Sequence, residues 1–141
     1  MSTDPLLQRS VRTLAWLGDA AFEREVRWRI ASRGDFPVDR LDAMKTDVVC
    51  AAAQAELLDT IDPELTEPER EVVRRGRNAK SPSRARTKTQ VYRSSTAFEA
   101  LIAHWALTEG AWSRFESLVG PHLERSIDAA ATRRARKPKR G

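Results

Sequence analysis

Cysteine and histidine are almost missing from these 141 residues: Cys50 stands alone, and His104 and His122 are the two histidines. One thiol cannot close an internal disulfide, and so few Cys and His leave no cluster to hold a structural zinc. No apolar run is long enough to cross a bilayer, and the polar stretch Met1–Arg12 has no hydrophobic region of the kind a signal peptide carries. These absences set the expectation of a protein of the reducing cytoplasm. Cys50, in the apolar run Val48-Val49-Cys50-Ala51, is expected to be a buried, inert thiol. No stretch alternates polar and apolar residues as a half-buried strand does, and there is no internal repeat. What remains is an all-α protein of one domain, large enough for a real core.

Acid is absent from two places, and this says more than the formal net charge of +5. The tail 132–141 carries six basic residues and no acid, so without it the chain nets −1. Between Glu71 and Glu99 lie eight more basic residues, Arg74, Arg75, Arg77, Lys80, Arg84, Arg86, Lys88 and Arg93, again with no acid; without these too the charge is −9. An acidic body with one basic segment and a basic tail points to a polyanionic partner, nucleic acid above all. The plainer reading of the segment is a solvated loop.

Helical signals run the length of the chain. Asp4-Pro5 opens a helical region that continues to about Ser32 and is stopped by Gly34. After the loop 34–38, Leu41, Met44, Val48, Ala51, Ala55 and Leu58 mark one amphipathic helix. Thr66 and Glu69 have capping-box spacing and open a helix that Gly76 is expected to end, with Asn78–Lys88 as a loop. A further helix is expected to begin near Ser95 or Thr96 and to end at Gly110. A last one runs from Ala111 to about Ala131 with an interruption at Gly120-Pro121, and 132–141 is expected to be a disordered tail.

Two of these helices each carry a single carboxylate among apolar residues. Asp19 sits beside Gly18 in Leu14-Ala15-Trp16-Leu17-Gly18-Asp19-Ala20-Ala21-Phe22, and glycine inside a helix marks close approach of something. Glu99 lies in Thr96-Ala97-Phe98-Glu99-Ala100-Leu101-Ile102. Each has a bland alternative: Asp19 as a surface residue, and Glu99 as the partner of Thr96 in a capping box. Glu23, one turn beyond Asp19, either supports the same site or forms an i,i+4 ion pair with Arg27. His104 is off the Glu99 face and reads as a packed histidine, and Trp16, Trp28, Trp105 and Trp112 read as core or dimer contacts.

Leu17-Gly18-Asp19-Ala20 and Phe98-Glu99-Ala100-Leu101-Ile102 together resemble the metal-binding helices of ribonuclease III catalytic domains. Arg75-Gly76-Arg77-Asn78-Ala79-Lys80-Ser81 resembles the Mini-ribonuclease III branch, which consists of the catalytic domain alone. The resemblance covers roughly Thr13 to Gly110. It implies a dimeric helical domain over 1–131, without a separate double-stranded-RNA-binding domain, that hydrolyses phosphodiester bonds in double-stranded RNA. Asp19 and Glu99 would hold Mg²⁺, with Mn²⁺ as a substitute, and precursor ribosomal RNA of the large subunit (23S) would be the substrate. Arg74, Arg75, Arg77, Asn78, Lys80, Arg84, Arg86, Lys88 and Arg93 would contact RNA. The chain departs from full-length enzymes at Ala15 and Thr96, where those have carboxylates. That departure supports the alternative of a noncatalytic RNA-binding or ribosome-assembly factor on the same fold.

Overall fold

The computed structural model describes residues 4–79 and 89–135. Among these residues there are seven α-helices and no strand: α1 Val11–Ala31, α2 Val38–Val49, α3 Ala51–Ile61, α4 Glu67–Arg77, α5 Thr89–Leu107, α6 Trp112–Leu118 and α7 Gly120–Ala135. The central element is α5, in which Ala97, Phe98, Ala100, Leu101, Ile102, Ala103 and Trp105 are all buried. A helix apolar on every side must be covered on every side. Helices α1, α3 and α4 surround it, and α2 and α7 close the outer layer.

Helix starts follow from their capping residues. Asp4 accepts the Leu6 N–H at 2.9 Å and opens a short 3₁₀ turn, and Ser10 accepts the Thr13 N–H at 3.2 Å to begin α1. Thr66 and Glu69 form the expected capping box of α4. At the far end of α1, Arg29 pairs with Glu25, Glu116 and Glu124, and Arg33 with Glu124 and Asp128, tying this helix to α6 and α7.

The single helix expected over residues 41–58 is two. Cys50 is extended (ψ 159°) and turns the chain between α2 and α3, so that Met44 and Val48 face the core from one helix and Leu57, Leu58 and Ile61 from the other. Its thiol is therefore exposed at the corner instead of buried in a helix face.

Gly76 does not end α4. It lies within the last turn against α5, where an added Cβ would come 2.5 Å from Ala97 Cα. Helix α5 begins at Thr89, nearly two turns before the expected start, because Ser94 and Ser95 bond across to Arg77 and Gln54 and are accommodated inside the helix. Thr96 is thus mid-helix, and the capping-box reading of Glu99 is excluded. The last helix carries on to Ala135, four residues past the expected tail boundary, because Arg133 and Arg134 pair with Asp47 of α2.

The tightest approach in the core is between α1 and α5. A Cβ on Gly18 would lie 1.7 Å from the Glu99 carbonyl oxygen and 3.2 Å from the Ala103 nitrogen. No side chain fits there, and the backbones meet directly.

A buried polar cluster locks α4 to α5 and α6. Glu69, 5% exposed, accepts from Trp105 Nε1 at 2.9 Å and from Arg114 Nε and Nη2 at 2.9 and 3.0 Å. Burial alone would raise its pKa, but the bonds from Arg114, the Thr66 N–H and Trp105 outweigh that and hold it at about 2. A carboxylate with a depressed pKa stabilises the fold above the unfolded value, near 4.5, and loses that contribution as pH falls through about 2. Glu69→Gln leaves donors of Trp105 and Arg114 facing an amide, and is expected to cost about 2–3 kcal/mol at neutral pH. Urea unfolding at pH 7 and pH 3 checks this: the gap from wild type narrows at the lower pH, and an equal gap at both would rule the ionised cluster out.

Candidate active site

The contact at Gly18 decides where the two carboxylates stand. With α1 and α5 in backbone contact, Asp19 and Glu99 open into one cleft of about 440 Å³. Arg12, Ala15, Trp16 and Asp19 of α1 form one wall. Tyr92, Arg93, Ser95, Thr96 and Glu99 of the adjoining α5 line it as well. The floor comes from Val49, Ala51 and Gln54 at the α2–α3 corner and from Gly76 and Ala79 at the end of α4.

Asp19 is exposed to solvent and Glu99 is half-buried. Burial raises the Glu99 pKa first, the Asp19 charge and a shared hydrogen bond raise it further, and Gln54 opposes them; the result is about 8. At neutral pH the metal-free pair therefore holds a proton that two isolated carboxylates would have lost. A cation between them would remove the cause of that shift. Among the described residues no group of three or more His, Cys, Asp or Glu converges anywhere. Ala15 and Thr96 line the cleft where further carboxylates would have to stand. A two-carboxylate donor set suits Mg²⁺, which keeps most of its shell for water and phosphate oxygens. It does not suit zinc, which takes three or four protein ligands, commonly His and Cys.

Glu23 is not among the residues lining this cleft. It accepts from Arg27 at 2.8 and 2.5 Å, with Lys45 at 3.8 Å, which is the surface pair that its spacing offered. His104 is half-buried away from the cleft, its pKa lowered by burial against an opposing effect of Glu69.

The basic residues separate into different roles. Arg93 stands on the cleft wall and is exposed. Arg77 donates to Ser94 Oγ at 2.8 Å and braces α4 against α5, while Asn78 closes α4 with its N–H on the Arg74 carbonyl at 3.1 Å. Arg74 is paired with Glu71 at 2.6 Å, and Arg75 is exposed. Lys80, Arg84, Arg86 and Lys88 lie outside the described residues.

Two cleft residues were not singled out from sequence. Arg12 is seven positions before Asp19, two turns of helix, and that spacing on one face was a readable signal. Gln54 was readable only as a polar interruption in an alanine-rich helix.

The family model described as the ribonuclease III domain matches residues 12–110. The Mini-ribonuclease 3 of Desulfitobacterium hafniense is 45% identical over 96 residues, which cover 68% of this chain and 61% of that protein. That of Brevibacillus brevis is 41% identical over 109 residues, covering 77% of this chain and 81% of the relative. Among solved structures, the protein FN1578 from Fusobacterium nucleatum superposes with a TM-score of 0.76 at 23% identity, over 88% of this chain and 96% of that one, a likeness of fold. A match across the helices that carry Asp19 and Glu99, with relatives at this identity, shows that the chain belongs to the ribonuclease III family, in its Mini-ribonuclease 3 branch.

Proposed function

We propose that this chain is a divalent-metal-dependent endoribonuclease that cuts double-stranded RNA as a homodimer in the cytoplasm, with precursor 23S ribosomal RNA ends as its substrate. The observation that carries the reading is the single cleft in which Asp19 and Glu99 face each other from helices in backbone contact. Family membership supplies the activity class, cleavage of RNA. Asp19 and Glu99 would hold the Mg²⁺ or Mn²⁺. When bound, the ion supplies Lewis-acid stabilisation of charge on the phosphoryl oxygens and lowers the pKa of water.

The chain's own residues do the rest. Rigid helices keep the two carboxylates at fixed separation, so little reorganisation is needed when substrate phosphate arrives. Arg12 of α1 and Arg93 of α5 both line the cleft and would offer positive charge to backbone phosphates. Duplex RNA is recognised chiefly through its shape, phosphates and 2′-hydroxyls, which suits a cleft bordered by arginines without base-reading side chains. No helix among the described residues is long and apolar enough to cross a membrane.

Ala15 and Thr96 favour a second reading, an RNA-binding or ribosome-assembly factor without catalysis. The two readings part on substitutions that keep shape and remove charge. Asp19→Asn and Glu99→Gln should each lower cleavage of duplex RNA by about a thousandfold or more, as loss of several kcal/mol of transition-state stabilisation requires. Circular dichroism and duplex binding should stay near wild type. Retained cleavage at saturating Mg²⁺ in either variant, or no cleavage by the wild type, would reject the catalytic assignment.

Cutting both strands needs two sites, and the cleft's own exposed aromatic residues offer a contact. Trp16 is 73% exposed on α1, with Tyr92 at 38% and Val91 at 41% on α5. A large indole left in water is uncommon unless a partner covers it. Trp16→Glu is expected to convert a C₂ dimer to monomer in light scattering at micromolar concentration while the helical content stays the same. A wild-type monomer that still cuts both strands would contradict the dimer.

A further inference from the structure

One buried polar side chain in the cleft has bonds that all lead to the site. Gln54 of α3 is 1% exposed. Its Oε1 accepts from Ser95 Oγ at 2.8 Å, and its Nε2 donates to the Val49 carbonyl at 3.0 Å. The first bond reaches α5 one turn before Glu99. The second holds the corner where α2 gives way to α3, at the carbonyl next to the extended Cys50. Burying an amide costs desolvation that an apolar side chain of the same size would avoid, so core packing alone would be served by methionine or leucine. The amide has a second N–H beyond the one given to Val49, and Gln54, Ser95 and Glu99 line the same cleft.

We propose that Gln54 is a positioning residue for the metal site: anchored by Ser95 and Val49, its amide fixes the orientation of the Glu99 carboxylate toward Asp19. A ligating carboxylate needs such a partner, since a freely rotating one meets the ion in the right geometry only part of the time. The anchoring explains why α5 buries a serine at position 95. It also gives the α2–α3 break a purpose, because the corner supplies the Val49 carbonyl that the amide grips. The inference rests on the metal-dependent reading above and goes beyond it in naming a residue that touches neither RNA nor ion.

The test uses the full chain and Mn²⁺ as probe, with affinity measured by calorimetry or electron paramagnetic resonance, separately from cleavage. Gln54→Met keeps the length and volume of the side chain and removes its hydrogen bonds. It is expected to weaken Mn²⁺ binding roughly 10–100-fold, the usual consequence of losing a partner behind a metal ligand. At saturating RNA kcat should fall, while KM for duplex RNA stays within about twofold, because contacts to RNA are untouched. Ser95→Ala leaves the amide in place but frees its anchor, and should shift Mn²⁺ affinity in the same direction by less. Wild-type Mn²⁺ affinity in both variants overturns the proposal. If Gln54→Met fails to fold, Ser95→Ala decides alone, a weaker Mn²⁺ site supporting the role and an unchanged one refuting it. A wild type that binds no Mn²⁺ overturns the metal reading and this inference with it, whereas normal wild-type binding with unaltered variants overturns only the inference.

Discussion

The backbone contact at Gly18 is the constraint from which the rest of the site follows. With 1.7 Å between a would-be Cβ and the Glu99 carbonyl oxygen, α1 and α5 can approach as they do only because position 18 has no side chain. Even alanine would force the helices apart, and the carboxylates belong to the residue after Gly18 and to the contacting residue Glu99 itself. Gly76 repeats the device on another side of α5, where it lets α4 close on Ala97. Two glycines therefore bring three helices around one cleft, and the glycine cost to helix stability, roughly 1 kcal/mol each, is offset by the packing they permit.

Close approach has an electrostatic consequence. Two carboxylates in one partly desolvated cleft repel, and the half-buried one, Glu99, takes up a proton in response. Among the described residues the cleft lining has neither a lysine nor a histidine, and its arginines are Arg12 and Arg93. This is an arrangement poised for a divalent cation. With Ala15 and Thr96 in the cleft in place of carboxylates, water and RNA phosphate would complete the shell of a bound ion.

Much of this was legible in the residues. The all-α class and the capping box at Thr66 and Glu69 follow from period, spacing and local composition, whereas Asp19 and Glu99 were paired by the resemblance to ribonuclease III catalytic domains. Long-range partners were not legible. The apolar repeat over 41–58 is continuous, and nothing in it shows that Cys50 turns the chain, since that turn is fixed by Gln54 reaching back to Val49. Polar residues at 94–96 looked like a helix start and are interior, because Arg77 and Gln54 bond to the serines from other helices. Arg133 and Arg134 looked like tail charges and are helical, because Asp47, far earlier in sequence, pairs with both. In each case a side chain with a strong local preference was overruled by a partner from another element.

The central claim is that Asp19 and Glu99 form one cation site whose metal-free state retains a proton. Mn²⁺ titrated by calorimetry at pH 7, in two buffers of different ionisation enthalpy, counts the protons released on binding. With Glu99 raised to about 8, the account predicts about one proton per ion at pH 7, fewer as pH rises through about 8, and none for Glu99→Gln. Mn²⁺ that binds at pH 7 without releasing a proton, or that binds Glu99→Gln as tightly as wild type, would contradict it.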